Sequence, residues 1–292
     1  RDKLAMRTQA AAAGVSVPAF TSVFNYEQLG EFMNQIDPPW VLKPRFEAGA
    51  VGIRQLNNSE QVWRALDKLG DEQSYYLLEQ FVPGDVYHVD ALLWEGEVTF
   101  AVTSRYGSPP LSVTQGGGIF NTRLTPRDSE ESRTTIRLAS DVFKAFGLSR
   151  GVTHTEFIHA HHDGQFYFLE TAARVGGAHI DKMIEAATGL SLWAEAARIE
   201  LADVRGETYQ LPDHREEYAG LIICLSRDEW PDLSAYNDRE VVWRVPRANH
   251  AGLLLASADP DRIEQLMADY NERFTHDFLA HAPQTKHPRT TI

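Results

Sequence analysis

Two short runs place carboxylates where a divalent cation could be held. Thr153-His154-Thr155-Glu156 reads as one strand of a hairpin, and Leu169-Glu170-Thr171-Ala172-Ala173-Arg174 reads as its partner and the residues that follow. On paired strands both carboxylates can face one side, where they repel each other unless a cation sits between them. Mg2+, held by one or two carboxylates together with phosphate oxygens, suits such a pair. Arg174, four residues beyond Glu170, could stabilise a phosphoryl or acyl-phosphate group in transfer. A surface cross-strand pair balanced by arginine is the plainer alternative. Gly176 and Gly177 precede a helical segment, so their backbone donors could receive a substrate carboxylate, although a helix-entry turn has the same composition.

Further upstream, Val41-Leu42-Lys43-Pro44 is followed by Glu47-Ala48-Gly49-Ala50-Val51-Gly52-Ile53, a lysine at a strand end beside a glycine-containing loop. Gly49 and Gly52 would let backbone N–H groups approach anionic oxygens, with the Lys43 ammonium as countercharge. No Gly-Lys-Ser/Thr follows, so this is not the Walker arrangement, and an ordinary hairpin is the competing reading. Leu78-Glu79-Gln80-Phe81-Val82-Pro83-Gly84-Asp85 suits an adenine pocket: Glu79 to accept from the exocyclic amine, the Val82 backbone to pair with the ring, Asp85 to reach ribose hydroxyls. A solvated Glu and a turn Asp would look the same. Arg105, after a strand, could hold a substrate carboxylate, and His154 is a candidate base for an incoming amine. His159, His161 and His162 crowd a hairpin tip without a second ligand cluster and read as solvent-facing.

The elements that must position these residues are short and mixed. Asp2 to Ala13 reads as a helix stopped by Gly14, followed by a helix around Tyr26 to Asn34 and strands at Trp40 to Lys43 and Gly52 to Leu56. Asn58 to Gln61 has capping-box spacing for a helix through Leu69. Tyr75 to Val82 is a strand, and Val86 to Ala101 two strands turning at Glu95-Gly96. The Gly-, Pro-, Ser- and Thr-rich stretch Gly107 to Pro126 reads as a mobile surface loop, and Ser129 to Phe146 as a helix ended by Gly147. Gly151 to Ile158 and Gln165 to Thr171 form a hairpin around Asp163-Gly164, with a helical region from Ile180 to Leu201. Beyond about residue 206, strands at Leu221 to Ser226, Glu240 to Val245 and Leu253 to Ala256 precede a helix near Asp259 to Phe274. The expected class is α+β, divided as residues 1–74, 75–205 and a packing subdomain at 206–292.

At 292 residues the chain can bury a large core. Its 28 Lys and Arg against 41 Asp and Glu give a net charge of -13, which argues against nucleic acid as a partner but not against a polyphosphate met by a local cluster of cations. The single cysteine, Cys224, lies in an apolar run and makes no internal disulfide, so a reducing cytoplasm is the default location. No stretch approaches the roughly 18 apolar residues of a membrane span. The oligomeric state is open, a homodimer included.

Taken in order, Asp2-Lys3, the Lys43-Pro44 loop ending at Gly52-Ile53, Glu79 to Gly84, Thr153 to Glu156 and Glu170 to Arg174 resemble the ATP-grasp superfamily. The Thr153 to Glu156 and Glu170 to Arg174 runs look most like its carboxylate-amine ligase branch containing L-amino acid ligases, which make dipeptides. The resemblance implies two α+β subdomains clasping ATP, ahead of the C-terminal subdomain. It implies that Lys3 and Lys43 contact ATP phosphates, Glu79 and the Val82 backbone bind adenine, Glu156 and Glu170 hold Mg2+ (or Mn2+), and Arg174 faces an acyl-phosphate. The activity implied is an ADP-forming ligation of a small-molecule carboxylate to an amine, both drawn from amino acids. A carboxylase-type or other acyl-phosphate ligase, and a nucleotide-binding regulatory protein without turnover, are the alternatives. Val86 precedes Tyr87 where the superfamily often has Glu, which weakens the ribose role of Asp85. Ala172 stands where many members carry an Asn metal ligand, a departure the amino acid ligase branch tolerates. Members of this kind usually carry an upstream Rossmann-like domain, which the given chain lacks.

Overall fold

The computed structural model describes residues 2–47, 49–111, 113 and 117–280, which divide into two units. The first holds residues 2–84 and 157–170, the second residues 85–156 and 171–280.

The first unit opens with α1 (Lys3–Ala12), capped by the Asp2 carboxylate on the Leu4 and Ala5 amides. A four-stranded antiparallel sheet follows, in the order β1 (Phe20–Ser22), β4 (Tyr76–Gln80), β2 (Trp40–Pro44), β3 (Arg54–Leu56). Helices α2 (Tyr26–Gln35) and α3 (Ser59–Leu69) cover one face of it. Alternation along the strands decides which side chains meet them. Trp40, Leu42 and Leu78 join Leu29, Phe32, Val62 and Leu66 in one core, so Lys43 and Glu79 project from the other face. Asn58 caps α3 through the Gln61 amide at 2.9 Å, as its spacing predicts.

The larger sheet has eight strands, ordered β11-β12-β10-β7-β6-β5-β8-β9. They are β5 (Gly84–Trp94), β6 (Glu97–Tyr106), β7 (Phe120–Leu124), β8 (Gly151–Ala160), β9 (Phe166–Ala172), β10 (Tyr218–Leu225), β11 (Val241–Arg244) and β12 (His250–Ser257). The division into units falls within β8 and β9, after Glu156 and Glu170.

In the second unit this sheet is buried on both faces, so its strands read as apolar runs rather than as alternation with polar residues. Ala219 and Leu221 of β10 and Leu254 of β12 pack with α5 (Ile180–Thr188) and α6 (Leu192–Arg205). Ile222 and Cys224 of β10 and Leu253 and Leu255 of β12 pack on α7 (Pro260–Asp277) instead. Cys224 is buried as a core strand residue. Helix α4 (Glu130–Phe146) is capped by Ser129 and ends at Gly147 in the left-handed conformation (φ 65°).

Three expectations change. Residues after 205 are not set apart: β10 pairs with β7 from Gly220↔Arg123 to Ile223↔Phe120 and so extends the sheet. The first division lies after Gly84 rather than residue 74, because β4 pairs with β1 and β2. The stretch Gly107 to Pro126, expected as a loop, contains β7, whose Asn121 and Thr122 are buried despite their polarity. Residues 112 and 114–116 of that stretch, and Ala48 of the glycine loop, lie outside the described residues.

Candidate active site

In the first unit, strand register brings a lysine and a carboxylate together. Val41 lies opposite Glu79 and Lys43 opposite Leu77, so Lys43 and Glu79 are diagonal neighbours on one face. Lys43 Nζ sits 2.6 Å from Glu79 Oε1. Arg7, from α1, donates from Nε to Glu79 Oε2 at 3.0 Å, from Nη2 to Oε1 at 3.3 Å, and from Nη1 to the Leu169 carbonyl. Burial alone would raise the Glu79 pKa, but Arg7 and Lys43 outweigh it and hold the carboxyl below its ordinary value. One helical turn before Arg7, Lys3 donates to the Glu47 carbonyl and pairs with Glu170 Oε2 at 2.8 Å. Three cations, Lys3, Arg7 and Lys43, thus face two carboxylates, Glu79 and Glu170.

Glu79, read as an adenine contact, is only 1 % exposed and has both oxygens engaged by Arg7 and Lys43, so it anchors these cations. Val82 is buried, and among the described residues its backbone N–H and C=O have no hydrogen-bond partner. In the turn from β2 to β3, Gly49, Ala50 and Gly52 all have positive φ. A Cβ on Gly52 would stand 2.9 Å from Pro44 Cγ, so both backbone conformation and space favour glycine there.

In the second unit, a polar network grows from one face of the sheet. Along β5 that face carries Leu92, then Asp90, then His88; along β8 it carries Val152, then His154, then Glu156. The apolar members pack toward α5 and the polar members bond to one another. Asp90 Oδ1 accepts from His154 Nδ1 at 2.9 Å and Asp90 Oδ2 from His88 Nδ1 at 2.7 Å. His88 Nε2 lies 2.8 Å from the Thr122 hydroxyl, which is also within hydrogen-bond distance of the Arg105 carbonyl at 3.3 Å; a neutral ring protonated on Nδ1 would accept there. Burial lowers the His88 pKa, in keeping with that form. His154 differs: burial opposes its charge, but Asp90 and Glu156 prevail and push it up to about 10. Glu156 Oε1 accepts from the Tyr106 hydroxyl at 2.9 Å and lies 3.6 Å from His154 Nε2. Among the described residues no group bonds to Glu156 Oε2.

His88, Asp90 and His154 bring potential metal-ligand atoms within 4.8 Å of one another. The Asp90 oxygens and both Nδ1 atoms are already spent on one another, so the trio is a hydrogen-bonded relay. In this unit the hard oxygen of the kind that suits Mg2+ is Glu156 Oε2; in the first unit, taken by itself, Glu170 offers a carboxylate 30 % exposed beside Lys3.

Asp85 and Arg105, read as ribose and substrate-carboxylate contacts, pair with each other at 3.0 Å. Arg174 is exposed and donates to the Val175 carbonyl at 2.6 Å. Gly177 accepts from the Ile180 amide as α5 begins, and Gly176 is packed so closely that a Cβ would meet Asp90 Oδ1 at 2.9 Å and His154 Nδ1 at 3.0 Å. His159 donates to the Gly164 carbonyl at 2.9 Å, while His161 and His162 are exposed, as expected of a hairpin tip. Arg7, His88, Asp90 and Tyr106 escaped the sequence reading. Arg7 had a signal in its four-residue spacing from Lys3, and His88 and Asp90 in their alternation within an otherwise apolar strand.

Residues 36–182 match the ATP-grasp domain family. An L-arginine-specific L-amino acid ligase of Bacillus subtilis is 29% identical over 209 residues, covering 68% of this chain and 49% of that enzyme. The chain therefore spans about half the length of this relative. The crystal structure of an L-amino acid ligase from Bacillus licheniformis superposes with a TM-score of 0.69 at 18% identity, over 97% of this chain and 72% of that one. N5-carboxyaminoimidazole ribonucleotide synthetase from Thermus thermophilus gives 0.71 at 20% identity, over 97% and 74%.

Proposed function

Because this chain belongs to the ATP-grasp family, we propose that it is the ATP-binding and catalytic portion of a ligase that joins a carboxylate to an amine, with release of ADP and phosphate. The observation that carries this reading is the excess of cations in the first unit, where Lys3, Arg7 and Lys43 outnumber Glu79 and Glu170. A cluster with surplus positive charge stabilises a polyphosphate even in a chain of net charge -13.

Lys3 and Lys43 would neutralise phosphate oxygens, Arg7 would hold Glu79 so that Lys43 keeps its position, and the unpartnered Val82 backbone would pair with adenine. Asp85 would contact the ribose and Arg105 a substrate carboxylate once their mutual pair opens. Glu156 and Glu170 would hold Mg2+, or Mn2+, whose charge when bound offsets that of the transferring phosphate. A substrate carboxylate oxygen attacks the γ-phosphorus, the bond to the bridging oxygen of ADP breaks, and an acyl-phosphate forms. Arg174 would face that group, and Gly176 and Gly177 the substrate's own carboxylate. The amine nitrogen then attacks the acyl carbon, the C–O bond to phosphate breaks, and the amine gives up a proton. Glycines 49 and 52 would let the loop above the phosphates exclude the water that otherwise hydrolyses the intermediate. Amino acids as both substrates are favoured by the likeness to the L-arginine-specific ligase.

The test is incubation with Mg-ATP and pooled amino acids and small carboxylates, following ADP, AMP and new masses. ADP with an amide mass is the expected result. AMP would overturn the acyl-phosphate route. Glu170→Gln is expected to abolish ADP formation, and wild-type turnover in that variant would remove the metal assignment.

A further inference from the structure

A buried polar network in the second unit lies behind Glu156. Five side chains lead to it from four strands: Thr122 on β7, His88 and Asp90 on β5, His154 on β8 and Tyr106 on β6. Asp90 and His88 have no exposed surface, and His154 has 9 %. Placing such groups inside a sheet is costly, and an apolar set of the same volume is often at least as stable. Further along the same face the sheet uses that apolar solution, with Leu92 and Val152. Polar residues begin only where the face approaches Glu156.

We propose that Asp90 is a positioning residue, which acts through His154 to hold Glu156 with Oε1 turned into the protein and Oε2 presented to the divalent cation. The inference rests on the reading of Glu156 as a metal ligand. Asp90 is itself fixed from both sides, by His88 on one oxygen and His154 on the other. With Nδ1 committed to Asp90, the His154 ring can turn only one atom, Nε2, toward Glu156. Tyr106 donates to the same oxygen from the next-but-one strand, so the carboxylate cannot rotate without losing both contacts. Gly176 seals the couple: its backbone passes so close to Asp90 Oδ1 and His154 Nδ1 that no Cβ fits. A ligand oxygen fixed in this way binds without first surrendering rotational freedom, and loss of such supporting groups typically weakens a metal about 10–100-fold.

The experiment titrates Mn2+ into protein saturated with ADP and reads free Mn2+ by electron paramagnetic resonance, with ADP affinity in EDTA measured alongside. Glu156→Gln, Asp90→Asn and His154→Asn are compared with the wild type. Asn at 154 keeps a donor for Asp90 but does not reach Glu156, so it tests the same link if Asp90→Asn fails to fold. Mn2+ affinity is expected to fall about 10–100-fold in the Asp90 and His154 variants, with metal-free ADP affinity unchanged. Wild-type Mn2+ affinity in both, alongside its loss in Glu156→Gln, would overturn the positioning role and leave the metal reading intact. Equal weakening of Mn2+ and metal-free ADP would also overturn it, by showing a merely structural role. Unchanged Mn2+ affinity in Glu156→Gln would remove the metal reading and the inference with it.

Discussion

Arg7 is the side chain on which the cation cluster depends. It is 1 % exposed and shares Glu79 with Lys43, so its removal would strand a buried carboxylate with one partner. Arg7→Ala is expected to lose about 3–5 kcal/mol in urea unfolding, whereas Glu170→Gln, at a partly exposed carboxylate, should unfold close to wild type. Asp90 makes a pH-dependent prediction. Burial works against its charge, but His154 and His88 hold its carboxyl well below the ordinary 3.8. A depressed acid contributes its stability above the unfolded value and loses it as pH falls. The urea midpoint of the wild type should therefore decline more steeply below pH 3.8 than that of Asp90→Asn. Lys43, Glu156, Glu170 and Arg174 stand out in the sequence because residue type, order and spacing single them out as candidates. Arg7 and Asp90 leave traces in spacing and alternation, but no local pattern says which buried charge will share a partner with which strand.

Among the elements, the turn into α5 is tightly constrained. Gly176 meets the Asp90 and His154 side chains, and Ala178 and His179 both take positive φ before the helix begins. Gly176→Ala must displace the backbone or the couple and is expected to cost about 1–3 kcal/mol in denaturant unfolding. Element boundaries were largely readable from caps and turns: Asn58, Ser129, Gly147 and the Asp163-Gly164 turn all act as their types predict. β7 was misread for a physical reason. Its Asn121 and Thr122 look like loop residues, yet Asn121 bonds to Asn271 at 2.8 Å and Thr122 to His88, so tertiary partners satisfy what local chemistry leaves open. β10 was legible as a strand but not as the neighbour of β7, since pairing between residues 220 and 123 leaves no local trace.

At the scale of the molecule, charge and site chemistry act over different distances. The net charge of -13 belongs to the whole chain, whereas Lys3 and Arg7 are buried, and Lys43 is only partly exposed, beside their carboxylates. Salt screens exposed charges beyond about 8 Å at physiological ionic strength and buried ones much less. ATP affinity is accordingly expected to change little with added NaCl in calorimetry. The lone sulfur offers a different handle. Cys224 is the only cysteine, lies on β10 between β7 and β12, and burial pushes its thiol up to about 12. In the closed molecule it is neither accessible nor a thiolate, so a thiol reagent can reach it only when the sheet comes apart. The rate of that reaction is a clock for rare opening events, with no label to introduce and no second thiol to confuse the count, and saturating Mg-ATP should slow it.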